Sequence, residues 1–371
     1  MVTLTGHAYC WDVLGDPAFP DRVAALGLSS VTLAAAYHSV RAATPHHPRH
    51  QIVDARHGAL YRPVRPSAWR DARLRPAAAD WMPSADPFAE AATTLRAAGL
   101  SVTAWIVLAH SSRLGAAFPD LAVVNCFGER YSHALCPANP EVRDYAATLA
   151  AEAIRDAPVD AVSLESCGQM GLTHTGAHDR TADAWPGPAQ RWLSVCCCAA
   201  CRALWSERGA DPARVIASLA AAVRADSTVD SSAVLLDARQ HAARLLRDQV
   251  LAAVAGVPVI LHANPDPWAT GPSPGLPPDD RVDAHAVLVP AWPVGEESAR
   301  AVAAAVAAGY RTHAYITALP PCRAEEVPAH AAALVAAGAS GINLYHLGLA
   351  SAPRLEALRR TVELLESPCT P

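Results

Sequence analysis

The residue best suited to acid–base chemistry is Glu165, which ends the apolar segment DAVSLE and precedes Ser166. A carboxyl group at the end of a buried strand faces a pocket but is walled by apolar side chains. Such burial raises the pKa of a carboxyl group towards the range of a general acid. The alternative is an acidic side chain that pairs with an arginine or caps the next segment. We predict that Glu165 is a general acid.

Histidines, aromatic residues and one asparagine lie at or near the ends of the other predicted strands. Neutral imidazoles, tyrosine hydroxyls and amides hydrogen-bond sugar hydroxyls, and indoles stack on sugar rings. The predicted substrate-binding residues are His7, Tyr9, Trp11, Tyr37, His38, Trp105, His110, His262, Asn264, Trp292, Tyr345 and His346. Alternatively, several imidazoles and Glu165 bind a divalent metal that activates water. The segment HAYCW lacks the His-x-His pair of amidohydrolase barrels, which weakens this alternative.

Four of the ten cysteines crowd into the segment CCCAAC. Their spacing lets Cys196, Cys198 and Cys201 face one ion, with Cys197 pointing away. Zinc is the default metal, because a tetrahedral thiolate set suits it. Candidates for the fourth ligand are Cys136, which we take first, Cys126, Cys167 and His174. The cluster lies on an insertion and not at a strand end, so we predict a structural zinc site; buried thiols without metal are the alternative.

Eight apolar segments place these residues, and a helix-patterned segment follows most of them. The segments span residues 5–11, 30–38, 101–110, 160–165, 258–264, 285–292, 312–317 and 341–346. Continuous apolar runs suit strands buried on both faces of a parallel sheet. The pattern predicts an α/β fold, a (β/α)₈ or TIM barrel, whose chemistry lies at the carboxyl ends of the strands. We predict one domain over residues 1–371, with insertions at about 39–87, after the second strand, and about 166–211, after the fourth.

The first insertion is rich in Arg, Pro, His and Trp, and its prolines leave no helical period. We predict an ordered irregular loop over the barrel mouth. Its rings and guanidinium groups are suited to a polyhydroxylated ligand, and the residues concerned are Tyr61, Trp69, Trp81, Arg56, Arg62 and Arg65. The alternative is that this loop only covers apolar surface.

The composition limits the classes of function. Half of the residues are apolar and 18% are charged, as in a globular protein, and the net charge of -5 gives no footprint for nucleic acid. All 30 basic residues are arginines, which excludes Schiff-base, pyridoxal-phosphate and Walker-type phosphate-loop chemistry. There is no apolar stretch of membrane-spanning length and no signal-peptide pattern, so we predict a cytoplasmic protein without a membrane partner. Homo-oligomer formation stays open.

One part of the chain resembles a known family. The segment LCPANPEVRDYAATLAAEAIRDAPVDAVSLES, followed by the insertion with its Cys-x-Cys-x-x-Cys, resembles the clan A glycoside hydrolases, above all the family forty-two β-galactosidases. The resemblance covers roughly a quarter of the chain. It implies hydrolysis of a small saccharide or glycoside, an acid/base role for Glu165 and a structural zinc at the cysteines. Two features differ from the family: no Asn precedes Glu165, and the seventh strand ends in Tyr-Ile-Thr without a nucleophilic Glu.

A glycosidase needs a second carboxylate, about 5 Å from the first for retention or roughly 6.5 to 9.5 Å for inversion. Asp266, in HANPDPW after the fifth strand, is our first choice for the base. The alternatives are Asp179, Asp12 and Glu129. A base further from the acid favours inversion. Two other functions stay open: a metal-dependent hydrolase or isomerase that uses the histidines, and a non-catalytic carbohydrate-binding barrel.

Overall fold

Eight parallel strands form the centre of the molecule in a computed structural model that describes residues 2–173, 179–181, 184–225, 227–278 and 281–367. They are β1 (Thr3–Ala8), β2 (Ser30–Tyr37), β3 (Ser101–Val107), β4 (Ala161–Glu165), β5 (Val259–His262), β6 (Ala286–Pro290), β7 (Thr312–Thr317) and β8 (Gly341–Tyr345). Each strand pairs with the next along the chain, and β1 pairs with both β2 and β8. The barrel is therefore closed, which confirms the predicted (β/α)₈ fold.

All eight predicted segments overlap an observed strand, and the seventh has the predicted bounds. The first differs, because β1 ends at Ala8 and the chain then turns into a short helix. The backbone N–H of Tyr9 donates to Asp12 Oδ2 at 2.8 Å and caps this turn. The Asp12 side chain, three residues after Tyr9, therefore ends the strand. The apolar pattern had predicted that the strand continues to Trp11.

Helices cover the outside of the barrel. They are α1 (Cys10–Val13), α2 (Phe19–Ala25), α3 (Pro87–Ala97), α4 (Ser112–Ala117), α5 (Pro140–Ile154), α6 (Gly187–Leu193), α7 (Ala199–Glu207), α8 (Pro212–Ala225), α9 (Ser232–Ala253), α10 (Glu296–Ala307), α11 (Val327–Ala336) and α12 (Ala352–Glu366). In α9, Leu235, Ala242 and Leu246 are buried at helical spacing, and this helix packs against α5. The described residues between β5 and β6 form no helix. Within the described part of the chain, no helix has the length and apolarity needed to cross a membrane.

The first insertion contains short strands where we predicted an irregular loop. Val40–Ala43 pairs with Ile52–Ala55 in an antiparallel hairpin. Ala59–Leu60 then pairs antiparallel with the end of β2, and Ala77–Ala78 pairs with Ala59–Leu60. At the end of β2, backbone N–H and C=O groups extend beyond the barrel rim, and Ala59–Leu60 of the insertion pairs with them. A second hairpin, Ala122–Val124 with Arg130–Leu135, precedes α5.

Strand alternation separates two sets of side chains. On β5, Leu261 belongs to the main core between strands and helices. Ile260 packs instead with Leu288 and Tyr315 in a separate small cluster. Because side chains two residues apart share a face of a strand, His262 lies on the same face of β5 as Ile260. The barrel interior therefore carries polar and aromatic groups towards its carboxyl end.

Candidate active site at the barrel mouth

Glu165 is the last residue of β4 and is only 4% exposed. Trp105 Nε1, from β3, donates a hydrogen bond to Glu165 Oε2 at 2.8 Å. His262 Nδ1, from β5, lies 3.8 Å from the same oxygen. Burial raises the pKa of Glu165 to about 7, although the hydrogen bond from Trp105 lowers it. Within the described chain no arginine pairs with Glu165, and with a pKa of about 7 its carboxyl group is partly protonated at neutral pH.

The raised pKa of Glu165 predicts that stability falls as the pH rises. Folding favours the protonated carboxyl group, because its pKa is about 7 in the folded chain against an ordinary 4.5. This contribution is complete below pH 4.5 and is lost as the pH rises through 7. Replacing Glu165 with glutamine removes the loss. We expect the variant's unfolding free energy, relative to wild type, to improve by about 2 kcal/mol between pH 5 and pH 8 in urea unfolding. An unchanged difference would contradict this burial effect.

The imidazoles beside Glu165 are neutral hydrogen-bonding groups. His262 Nε2 lies 3.0 Å from Ser163 Oγ, and burial lowers the pKa of His262 to about 3. His7 Nδ1 lies 3.4 Å from the hydroxyl of Tyr315. Burial, and then the neighbouring His262 and His346, lower the pKa of His7 well below its usual value. Uncharged imidazoles of this kind suit sugar hydroxyls better than they suit an anionic group.

Aromatic side chains surround the same carboxyl group. The Tyr37 ring lies 4.5 Å from the Trp105 ring. The hydroxyls of Tyr9 and Tyr345 are 3.3 Å apart. Trp292 is 42% exposed, and its ring lies 5.1 Å from that of Tyr345. An open indole beside Tyr345 provides a wall on which a flat apolar face can stack.

The structure brings seven of the predicted binding residues together around Glu165. They are His7, Tyr9, Tyr37, Trp105, His262, Trp292 and Tyr345. His38 and His110 form a pair beside Tyr37, with their rings 4.6 Å apart. The Asn264 side chain accepts a hydrogen bond from the backbone N–H of Asp266 at 2.9 Å and so orders its own loop.

Trp11 and His346 lie one layer behind the others. Trp11 is only 2% exposed, and its ring packs 4.4 Å from that of Tyr9. His346 is fully buried, and its ring packs 4.1 Å from that of Tyr9. The helical turn after Tyr9 carries Trp11 out of the strand, which explains why it misses the group around Glu165.

Sequence reasoning missed Tyr315 and Ser163. Tyr315 contacts His7, His262 and Trp292, with ring centroids between 4.6 and 5.7 Å apart. Both missed residues lie two positions before a strand end, at Thr317 and Glu165 respectively. The period of two was therefore the signal that could have found them.

The candidate second carboxylates have different surroundings. Asp266 is half-exposed, lies 3.7 Å from Arg191 and accepts a hydrogen bond from the Trp268 backbone at 3.0 Å. Asp12 is buried, and burial raises its pKa to about 7. After the larger effect of burial, both Glu165 and Asp12 raise the pKa of Tyr345. The two further candidates make local hydrogen bonds. Glu129 accepts one from the side-chain amide of Asn125, and Asp179 accepts one from the backbone N–H of Thr181.

The four predicted cysteines meet at one point away from the mouth. The sulfur atoms of Cys136, Cys196, Cys198 and Cys201 all lie within 4.8 Å of one another. Cys136 Sγ is 3.5 Å from Cys201 Sγ and 3.8 Å from Cys198 Sγ. Cys126 and Cys167 are not in this group, and His174 lies outside the described residues. It is the only group of three or more such ligands in the described residues, and the mouth histidines form none.

A buried guanidinium group accompanies the cysteines. Arg239 is 5% exposed and donates to the Ser194 carbonyl at 3.0 Å. Burial lowers the pKa of Arg239 to about 10, while Cys201, Cys196 and Cys136 raise it. The group is therefore a cation at neutral pH, and the thiolate form of the cluster would balance its charge.

The three arginines of the first insertion that we predicted to contact a ligand pair with acidic residues. Arg62 pairs with Asp86 at 2.8 Å, Arg65 with Glu152 and Arg56 with Asp80 at 3.0 Å. Tyr61 and Trp69 are 1% exposed, and their rings pack 5.8 Å from those of Trp11 and Tyr145 respectively.

Comparison with known proteins shows similarity at the level of structure. No protein-family model matches the chain, and no curated protein matches it in sequence. The α-L-fucosidase isoenzyme 2 of Paenibacillus thiaminolyticus has a TM-score of 0.60 and 13% identity over 99% of this chain and 49% of that one. The glycoside hydrolase domain of PgaB (BpsB) from Bordetella bronchiseptica has a TM-score of 0.57 and 18% identity, covering 98% and 99%. The β-amylase catalytic domain of Paenibacillus polymyxa has a TM-score of 0.55 and 11% identity, covering 99% of this chain and 99% of that one.

These likenesses show the barrel fold. The chain spans about half the length of the fucosidase and nearly all of the two catalytic domains. Because identity is below a fifth in each case, the similarity concerns the scaffold, and the chemistry must be argued from the site.

Proposed function

We propose that this chain is a glycoside hydrolase that acts on a small saccharide or glycoside, with Glu165 as its general acid. The observation that carries the proposal is the buried carboxyl group at the end of β4, whose pKa is raised to about 7. Among the described residues, no arginine forms an ion pair with it. Three proteins of the same fold support it, since they are named as a fucosidase, a glycoside hydrolase domain and a β-amylase.

The surroundings of Glu165 determine which oxygen acts. Trp105 donates to Oε2, so the proton of the neutral carboxyl group resides on Oε1. From there it is transferred to the glycosidic oxygen as the bond to the leaving group breaks. The neutral imidazoles of His7 and His262 bind sugar hydroxyls, and Trp292 stacks on the ring.

The base is the part of the mechanism with two candidates. Asp266, on the loop after β5, is half-exposed and pairs with Arg191, and a base further from the acid would give inversion. Asp12 is the alternative, because it is buried and because its charge, like that of Glu165, raises the pKa of Tyr345. The anomer first released from a chromogenic glycoside, observed by proton NMR, distinguishes inversion from retention.

The proposed function is tested with a panel of 4-nitrophenyl glycosides of both anomeric configurations and a panel of short oligosaccharides. Turnover that survives a chelator supports the proposal. Turnover that is lost with a chelator and restored by a divalent metal, together with a bound ion that remains in the Cys198→Ser variant, would favour the metal-dependent alternative. Saccharide binding without turnover over long incubation would favour the non-catalytic barrel and overturn the hydrolase.

The open indole at the mouth has a separate expected effect. Replacing Trp292 with alanine should raise KM about 3- to 10-fold with little change in kcat, because stacking binds substrate and transition state alike. Steady-state kinetics measure the split. Trp185→Ala is the matched control, since this indole is 37% exposed on the second insertion. A fall in kcat with unchanged KM would place Trp292 in a different role.

We also propose that the four cysteines hold a structural zinc ion. Sulfur atoms at about 2.3 Å from a tetrahedral zinc are about 3.8 Å apart. The observed separations of 3.5 and 3.8 Å fit this geometry. Such an ion would join the hairpin before Cys136 to the start of α7 and supply no chemistry at the mouth.

A further inference from the structure

A cavity of about 720 Å³ lies outside the barrel mouth, between the turn after β1 and the first insertion. Its walls include Trp11, Ile52 and Trp81, and charged residues line it as well, namely Arg49, Asp54 and Glu90. The Tyr9 ring contacts Trp11 at 4.4 Å and stacks with Trp105 of the mouth at 6.2 Å. The cavity therefore lies apart from the side chains around Glu165 but adjoins them on the side of β1.

Hydrogen bonds within the chain hold the cavity open. His47 is 4% exposed, and its Nε2 donates to the carbonyl of Leu14 at 3.1 Å. Its Nδ1 accepts from the backbone N–H of Arg49 at 3.1 Å, and its ring stacks on His50 at 3.6 Å. One buried imidazole thus ties the turn after β1 to the insertion. The volume lies within the range of about 300–1,000 Å³ found for small-molecule sites.

The lining has the composition of a site for a polyhydroxylated ring. Trp11 is 2% exposed, and no hydrogen-bond partner for its indole N–H exists among the described residues. Trp81 offers a second indole, while Ile52 is 56% exposed at the rim. The apolar faces of a sugar stack on indoles, and its hydroxyls hydrogen-bond to carboxylates and guanidinium groups. Both of these charged groups are planar and can bind two hydroxyls at once.

We propose that this cavity is a second saccharide-binding site, which takes a short neutral oligosaccharide beside the mouth. The inference extends the proposed function, because it assigns an oligosaccharide and not only a small glycoside to this rim. Arg49, Asp54 and Glu90 bind its hydroxyls, Trp81 contacts a ring face, and the buried Trp11 forms the floor of the cavity.

Binding is measured by titration calorimetry and saturation-transfer NMR with maltotriose, cellotriose, xylotriose and N,N′,N″-triacetylchitotriose. The protein carries Glu165→Gln so that no probe is hydrolysed. Adding Trp81→Ala should lower affinity at one site about 10-fold and leave the other unchanged. Adding Trp292→Ala should have the reverse effect. Asp54→Ala, at an exposed position, is the second variant should Trp81→Ala not fold.

The outcomes separate this proposal from the proposed function. Binding that responds to Trp81→Ala, in a wild-type protein without any glycosidase turnover, supports the cavity and overturns the hydrolase. Turnover with binding that neither Trp81→Ala nor Asp54→Ala alters supports the hydrolase and overturns the cavity. Failure of all four trisaccharides to bind outside the mouth also overturns the cavity.

Discussion

Replacing Glu165 with glutamine is expected to lower kcat by about 100- to 10,000-fold, the range contributed by a general acid. Glutamine is close in size and still accepts the hydrogen bond from Trp105, but it has no proton to transfer. Substrate binding should persist, since the imidazoles and Trp292 are unchanged. The wild type should also lose activity above about pH 7, as its acid ionises. The variant should lack this decline.

The measurement is kcat and KM on the best 4-nitrophenyl glycoside between pH 4 and pH 9. Glu141→Gln is the control, because this exposed glutamate at the start of α5 pairs only with the surface residue Arg73 at 2.9 Å. If Glu165→Gln kept kcat within a factor of ten of wild type, Glu165 would not be the acid and the hydrolase proposal would lose its central residue.

Replacing Cys198 with serine is expected to remove bound zinc and to lower the free energy of unfolding by several kcal/mol. Three thiolates and a hydroxyl hold zinc far less tightly than four thiolates. The loss also separates the hairpin that leads to Cys136 from α7. Elemental analysis of protein purified without chelator should find one zinc per chain in the wild type. Thermal unfolding should shift downwards in the variant and in chelator-treated wild type.

Cys197→Ser is the matched control for this experiment. Cys197 is buried next to Cys198 in the sequence, but its thiol donates to the Val195 carbonyl at 3.6 Å and lies outside the cluster. This variant should keep its zinc and most of its stability. Wild-type protein without zinc, or a Cys198→Ser variant with a full equivalent, would rule out the structural metal.

The apolar pattern of the chain is enough to predict the scaffold and the position of the proposed acid. Runs of Val, Ile and Leu that are buried on both faces predict parallel strands without any knowledge of their partners, because the requirement is local to each run. The position of Glu165 follows from the same argument, since it is the first charged residue after such a run. The spacing of Cys196, Cys198 and Cys201 is likewise local, because a single turn of chain brings the three together.

The partners of these groups follow from the folded barrel and not from the local pattern. Cys136 joins the other cysteines across 62 residues of chain, counted to Cys198, and nothing in the local pattern distinguishes it from Cys126. Asp266 faces Arg191 of α6, which is distant in the sequence. In strands the pleat sets the side-chain direction every second residue, whereas in loops it depends on hydrogen bonds and charges that arrive from distant segments. Contacts of that kind exist only once the barrel has closed.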